Sequence, residues 1–453
     1  MAAKINFIDA NVQPDTRLIL FLLGPHWLKV PPLSLIFLEN FLSANGFKTK
    51  IIDLNIISYN LLKLPGKEWL SLNPELENNI FSRIKKGHAG LIGELIRQIS
   101  NSKAKVLGFS LYSRNHKATM DLIGEIIHAT KSKTFVFGGP EILFEYHRKT
   151  FFEQINSDNS YFVLGEGELP LLNICEHIYN SKSLNTASYK NKRIIMYDEI
   201  ADLNALPLLD FNGFDLKNYN SWALPLFSSR GCIKRCSFCS ECKLYKTFRQ
   251  HSPEYMAELI KSLVTKHGIT TFSFHDSLIN ADWDWLDKFC SLLIKENQRI
   301  KWEAQLAIRK DTPEDLFKKM KDSGCYNLFV GLESASDKIL KLMHKGYDAD
   351  EAKEFFRKLS CAGLQFEVSL ITGFPGENEE DFRKTLEFLK ENKKYIPKIA
   401  QVNPFVEYPP SQINKQNSLL GETVKNRTDI LLRMFAQERI KFTSSFINNL
   451  VPG

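Results

Sequence analysis

The chain has 453 residues, 43% of them hydrophobic and 25% charged, and its 59 basic and 52 acidic side chains give a net charge of +7. This is ordinary globular composition, long enough for about two or three domains, and it excludes a disordered or fibrous protein. No apolar run nears the ~20 residues of a membrane span, and no basic block marks a nucleic-acid tail. The start, Met1 to Pro14, has neither a basic n-region nor a cleavable apolar stretch, so a cytoplasmic protein is expected, with neither membrane nor nucleic acid as a partner.

Over residues 1–181 short apolar runs alternate with amphipathic stretches, the pattern of a doubly wound, flavodoxin-like α/β domain. Strands are expected at Leu18 to Leu23, Thr49 to Asp53, Ala104 to Phe109, Thr134 to Phe137 and Tyr161 to Leu164. Helices are expected at Leu33 to Ala44, closed by Asn45-Gly46, and at His116 to Ala129. Such sheets bind ligands at the carboxyl ends of their strands. Gly24-Pro25-His26-Trp27, Gly108-Phe109-Ser110, Gly138-Gly139-Pro140-Glu141 and Gly165-Glu166-Gly167-Glu168 fall there, and glycine lets backbone amides come close to a ligand. Residues 182–222 read as a linker, polar from Ser183 to Arg193 and proline-broken at Leu206-Pro207-Leu208-Leu209.

The alternation restarts over residues 223–410, with strands expected at Leu224 to Ser228, Thr270 to Phe274, Ile300 to Ala304, Asn327 to Gly331, Gln365 to Ile371 and Ile399 to Phe405. Ser252-Pro253-Glu254 and Thr312-Pro313-Glu314 read as helix starts, a cap followed by proline and an acid. Successive β/α units predict a partial (β/α)6 barrel of the TIM type, with chemistry on the loops at its carboxyl edge. Residues 411–453 read as a helical tail, including Thr428 to Asn449.

The first of those loops is Arg230-Gly231-Cys232-Ile233-Lys234-Arg235-Cys236-Ser237-Phe238-Cys239. Thiolates at C-x3-C-x2-C spacing can hold three irons of a [4Fe-4S] cube and leave the fourth open to a chelating cofactor or substrate. Cys242 keeps two other readings open, a four-thiolate zinc site and a closed-cluster electron carrier or sensor. Cys175, Cys290, Cys325 and Cys361 stand singly and read as small core hydrophobes. With so long a chain and no export signal, a disulfide framework is not expected.

This loop resembles the cluster motif of the radical S-adenosylmethionine (SAM) enzymes, C-x3-C-x-Φ-C, in which Cys232, Cys236 and Cys239 would bind the cluster and Phe238 is the aromatic. Further residues match that family at later strand ends. Asp276, in Phe274-His275-Asp276-Ser277, resembles the residue that receives the SAM amino group; Arg309 is similar in place to a residue that can pair the SAM carboxylate; Glu333, in Gly331-Leu332-Glu333-Ser334, resembles the ribose or methionine contact; Gly373, in Thr372-Gly373-Phe374-Pro375-Gly376, resembles part of the adenine-side loop. Taken singly they also read as caps, ion-pair partners and a turn. The N-terminal glycine turns, with Pro31-Pro32-Leu33 and Asp53-Leu54-Asn55, resemble the cobalamin-binding domain that precedes many such barrels. Ser110, Gly138, Gly139 and Gly165 would line its cobalamin face. The D-x-H-x-x-G signature is missing and His26 is its nearest substitute, so cobalamin without a histidine ligand is expected.

The resemblance implies a radical SAM enzyme with a [4Fe-4S] cluster, SAM and cobalamin, a methyltransferase acting on an unactivated carbon of a small-molecule or peptide substrate that enters between the domains. One SAM would methylate cobalt and a second would generate the substrate radical that takes the methyl group. A flavodoxin- or ferredoxin-type donor would supply electrons. Radical rearrangement, cyclisation and methylthiolation use the same architecture; the tRNA methylthiotransferases carry cluster cysteines in their N-terminal domain, where this chain has Cys175 alone.

Overall fold

The computed structural model describes residues 11–443 except 26–27, 29, 71–73, 131–132, 156–158, 190–191, 220–222, 314 and 407–420. The chain forms two compact units, the first running to residue 201 and resuming over 205–219, the second comprising 202–204 and the described residues from 223 onward.

The first unit is built on a sheet of order β2-β1-β3-β4-β5-β7-β6. Its strands are β1 (Leu18–Leu22), β2 (Thr49–Asp53), β3 (Val106–Ser110), β4 (Thr134–Gly138), β5 (Ser160–Leu164), β6 (Ala187–Tyr189) and β7 (Lys192–Met196). All pairs are parallel except β6 with β7. β1 and β3 are buried at every position, as befits parallel strands covered on both faces by helices. Phe21, Phe109, Phe137 and Phe162 stack in succession across the sheet with ring centroids 5.0, 5.7 and 5.2 Å apart. The helix Leu33–Ala44 ends as expected, with Gly46 at φ +82°.

The stretch read as a polar linker carries two strands, β6 and β7, which pair antiparallel and extend the sheet. Its composition misleads because β7 is near an edge and buries only Ile195 of its five positions. The proline-broken segment lies against the first unit, where Asn40 Nδ2 donates to the Asp210 carbonyl at 3.1 Å and Asp210 N to Asn40 Oδ1 at 2.9 Å.

The second unit carries six parallel strands in the order β15-β14-β13-β12-β11-β8. These are β8 (Leu224–Leu226), β11 (Thr271–Phe274), β12 (Lys301–Leu306), β13 (Cys325–Glu333), β14 (Phe366–Thr372) and β15 (Ile399–Pro404), and the small pair β9 (Ser229–Arg230) and β10 (Arg249–Gln250) brackets the cysteine loop. Spatial order follows chain order with helices between, so every loop after a strand lies on one edge. Ser252 caps its helix as expected, accepting from Tyr255 N at 3.1 Å. Thr312 does not: its hydroxyl donates back to the Arg309 carbonyl at 2.7 Å, and the helix starts at Leu316 with Asp315 as N-cap. The C-terminal helix spans Gly421–Glu438, beginning before the expected Thr428; the end of the expected stretch, residues 444–449, lies outside the described residues. No helix among the described residues is long and apolar enough to cross a membrane.

Candidate functional site

The cysteine loop leaves β8 at the carboxyl edge of the second sheet. Two devices fix its entry. Asp276, at the end of β11, is 1% exposed and its carboxylate accepts from Ser228 N at 3.0 Å, from Ser228 Oγ at 2.8 Å and from the Ser229 hydroxyl. Gly231 adopts φ +86°, and a Cβ there would stand 2.6 Å from the Thr247 carbonyl oxygen, so only glycine fits. Beyond the loop's middle, Ser237 anchors it, its N donating to Met343 O at 3.1 Å and its Oγ to Leu342 O at 3.0 Å.

Cys232, Cys236 and Cys239 are free thiols of intermediate exposure on this loop. Backbone amides are aimed at two of the sulfurs: Lys234 N lies 3.4 Å from Cys232 Sγ and Glu241 N 3.5 Å from Cys239 Sγ. Such donors stabilise a thiolate over a thiol. Burial nonetheless pushes Cys232 up to about 11, and it raises Cys236 against the pull of Lys345 and Lys234. Protons held this firmly leave when a metal takes the sulfurs. Among the described residues no three His, Cys, Asp or Glu side chains converge on a single metal ion. Thiolates bound to separate corners of a cube need not converge, so soft donors in this arrangement suit iron of a cluster. The side chain of Cys242 lies outside the described residues.

Phe238 packs edge-on against Phe374, centroids 6.4 Å apart, joining Ile339, Met343 and Ile371 in an apolar cluster. Lys345 Nζ sits over the Phe238 ring at 5.8 Å and 3.4 Å from Glu333 Oε1, with both partners' side chains 12% exposed. Glu333 ends β13 at φ +65° beside a register shift, a conformation costing about 1–3 kcal/mol for a residue other than glycine. Ser369 Oγ donates to its other oxygen at 3.1 Å, and Tyr347 OH donates to the Gly331 and Leu332 carbonyls at 3.0 and 2.9 Å. Together these hold the strained turn so that the carboxylate faces the cysteine loop's neighbour Lys345.

Gly373 turns at φ +76° and its N donates to Glu377 Oε2 at 2.7 Å. Arg427, on the C-terminal helix, reaches the same oxygen at 2.5 Å, and this ion pair is almost wholly buried at 3% and 2% exposure.

Two of the expected SAM contacts are engaged by protein groups in this structure. Arg309 is not free to pair a carboxylate from outside: its guanidinium is engaged by both Asp311 oxygens and by the Asn280 and Ala281 carbonyls at 2.8 and 2.6 Å, and it stacks on Trp283. Asp276 faces the serines of the loop's entry instead of an open site. Lys345, Tyr347 and Arg427 escaped the reading of the sequence, since a lone lysine before a glycine or an arginine in an amphipathic helix carries no signal apart from its partner. Cys175, Cys290 and Cys325 are buried as expected, but Cys361 is exposed, because it sits at its helix's last turn within 3.8 Å of Arg357 Nη1.

In the first unit Ser110, Gly138, Gly139 and Gly165 all fall at carboxyl ends of strands or just past them. The crevice between β1 and β3, where the strand order reverses, is filled: Asn115 is fully buried and its Nδ2 donates to Ser110 O at 2.9 Å and Leu23 O at 3.3 Å. Gly139, at φ +102°, packs so tightly that a Cβ would stand 2.6 Å from Leu111 O. Gly138 and Gly165 have nothing within 4 Å of where a Cβ would be. The open backbone edge therefore lies over β4 and β5. His26 lies outside the described residues.

The family model described as the radical SAM superfamily matches residues 226–389. An uncharacterised methyltransferase of Pyrococcus horikoshii is 27% identical over 262 residues, 55% of this chain and 56% of that protein. The cobalamin-dependent SAM radical enzyme OxsB, solved with aqua-cobalamin and SAM bound, aligns over 97% of this chain and 58% of its own with a TM-score of 0.68 and 16% identity. The radical SAM methyltransferase TsrM from Kitasatospora setae, solved with cobalamin and a [4Fe-4S] cluster, covers 86% of this chain and 75% of its own, TM-score 0.64 and 16% identity. At these identities the structural likeness speaks to the fold. The chain spans just over half the length of the Pyrococcus relative and of OxsB.

Proposed function

Because the chain belongs to the radical SAM superfamily, with an α/β unit of the cobalamin-binding type ahead of its barrel, we propose that it is a cobalamin-dependent methyltransferase acting on a carbon of a small-molecule or peptide substrate. The observation that carries the reading is the cysteine loop at the first strand's carboxyl end, with amide donors aimed at Cys232 and Cys239 and a buried lysine beside Cys236. Cys232, Cys236 and Cys239 would hold the cluster. Glu333 would contact SAM at its ribose or methionine end, Gly373 its adenine, and Phe238 would keep water from the cluster's open corner. Asp276 and Arg309 would act one step removed, Asp276 by fixing Ser228 and Ser229 and Arg309 by bracing the turn at Asn280. Reductive cleavage of SAM to a 5′-deoxyadenosyl radical, with cobalamin as methyl carrier, is the chemistry these groups supply when bound.

Cobalamin would lie over the open edge at Gly138 and Gly165, with Gly139 shaping the turn and Ser110 at the end of β3. A flavodoxin- or ferredoxin-type protein would serve as reductant. The methylthiolation reading would need further cluster thiols, and the first unit's Cys175 is buried in a helix with its thiol pushed up to about 12 by that burial.

The test is anaerobic isolation with cobalamin supplied, followed by incubation with SAM and a reductant. Formation of 5′-deoxyadenosine together with S-adenosylhomocysteine is expected. A closed-cluster carrier makes neither, and deoxyadenosine without homocysteine product in the presence of substrate would point to rearrangement or cyclisation. Cys236→Ala is expected to abolish cleavage, because two thiolates cannot hold the cube with its open corner.

A further inference from the structure

The cysteine loop and the segment over residues 337–346 are stitched together. Ser237 bonds the Leu342 and Met343 carbonyls, and Lys234 Nζ lies 3.5 Å from the Lys345 carbonyl. Along this seam two large apolar side chains stay in solvent, Ile233 at 42% and Leu342 at 44% exposure. Ile233 follows Cys232 directly, and Leu342 is bonded through its carbonyl to the residue after Cys236. Lys234, Arg235 and Lys341 flank them, and none of the three forms an ion pair among the described residues; Arg235 donates to the Cys232 carbonyl at 3.0 Å. The carboxylates of the surrounding elements are taken. Asp311 pairs with Arg309, Asp381 with Lys338 and Glu333 with Lys345, while Asp337 accepts from Ala349 N and Glu241 from Ser277. An apolar pair within an unmatched positive rim suits a brief contact with an acidic protein, in which a small buried area keeps affinity modest and charge speeds arrival. The remaining thiols do not make a relay for electrons: Cys175, Cys290, Cys325 and Cys361 fall in four different elements and three of them are buried.

We propose that the surface carrying Ile233, Arg235, Lys341 and Leu342 is the docking site of a small acidic electron carrier of the flavodoxin type. A flavodoxin presents an apolar ring edge inside a negative surround, which matches this arrangement in both respects. The inference rests on the radical SAM reading for one supposition, that Cys232, Cys236 and Cys239 hold a cluster that accepts an electron. In that step one electron leaves the anionic flavin hydroquinone and lowers the cluster from its 2+ to its 1+ state, and neither a bond nor a proton moves.

The experiment measures the affinity of the anaerobically reconstituted full chain for a bacterial flavodoxin by calorimetry. The wild type is expected to bind about ten-fold more weakly at about 200 mM than at about 20 mM salt. At the lower salt Lys341→Glu and Arg235→Glu should each lose about ten-fold, whereas Lys261→Glu, the same change of net charge on the helix Pro253–His267, should stay within about two-fold of wild type. Flavodoxin-driven deoxyadenosine formation should fall in Lys341→Glu while formation driven by titanium(III) citrate stays at the wild-type level, which also shows that the variant is folded. No binding by the wild type, binding indifferent to Lys341→Glu, an equal loss in Lys261→Glu, or a loss seen with a ferredoxin and not with flavodoxin would overturn the proposal. Absence of titanium-driven cleavage in the wild type would sink the radical reading, and the affinities would still decide the docking surface.

Discussion

His251 shows how much a single buried group can weigh. Its ring is 3% exposed, stacked on Tyr255 at 4.1 Å, and its Nδ1 has no hydrogen-bond partner among the described residues. Burial, helped by Arg230 and opposed by Asp202, lowers its pKa to about 3. The unfolded chain therefore takes up a proton at this residue that the folded chain refuses. Stability from this group is complete above pH ~6.5 and is lost as pH falls toward ~3, an effect on the order of 5 kcal/mol at most. Urea unfolding at about pH 7 and about pH 4.5 should show a smaller acid loss for His251→Phe than for wild type; equal losses would contradict the assignment. None of this was legible in the sequence, where His251 is one polar residue before a helix cap. Cys232, Cys236, Cys239 and Phe238 were legible because spacing itself is their signal. Arg309 and Asp276 were placed at strand ends, but their protein partners Asp311 and Ser228 were not legible, since position along a strand says nothing about which side chain or amide reaches the group.

At the scale of elements, the C-terminal helix fastens the loop after β14. Arg427 bonds Glu377 and Glu379 at 2.5 and 2.6 Å and covers Phe382, while burial pushes the Glu377 carboxyl up despite that guanidinium. Removing one partner strands a buried charge. Arg427→Met is expected to cost about 3–5 kcal/mol in equilibrium unfolding and to weaken SAM binding, and adding Glu377→Gln should restore much of the stability. A loss no larger in the single variant than in the double would contradict the account. In the first unit, Gly139→Ala should be the destabilising substitution, for its Cβ would meet Leu111 backbone, whereas Gly138→Leu should leave the melting curve near wild type and reduce cobalamin uptake. Unchanged uptake in Gly138→Leu would move the cofactor away from β4. Periodicity revealed the strands because apolar runs of parallel sheets are hard to hide, and it missed β6 and β7 because strands at or next to a sheet edge bury little. The cap at Thr312 was misread since its hydroxyl found the Arg309 carbonyl instead of a helix amide.

For the molecule as a whole, two α/β units stand in one chain, each with its strand ends gathered on one edge. The first offers an open glycine edge at β4 and β5, the second a loop of thiols with Glu333 and Lys345 beside it. Both edges follow from chain order, which is why the architecture could be read before any coordinate. What could not be read was which groups are already satisfied, as Arg309 is by Asp311 and Asp276 is by Ser228 and Ser229. The account depends on an iron corner that Cys232, Cys236 and Cys239 leave open. Electron paramagnetic resonance of the anaerobically reduced protein, recorded with and without SAM, tests it most directly. A [4Fe-4S] signal that changes when SAM is added is the expected result; a signal indifferent to SAM, or a protein holding zinc and no iron, would contradict it.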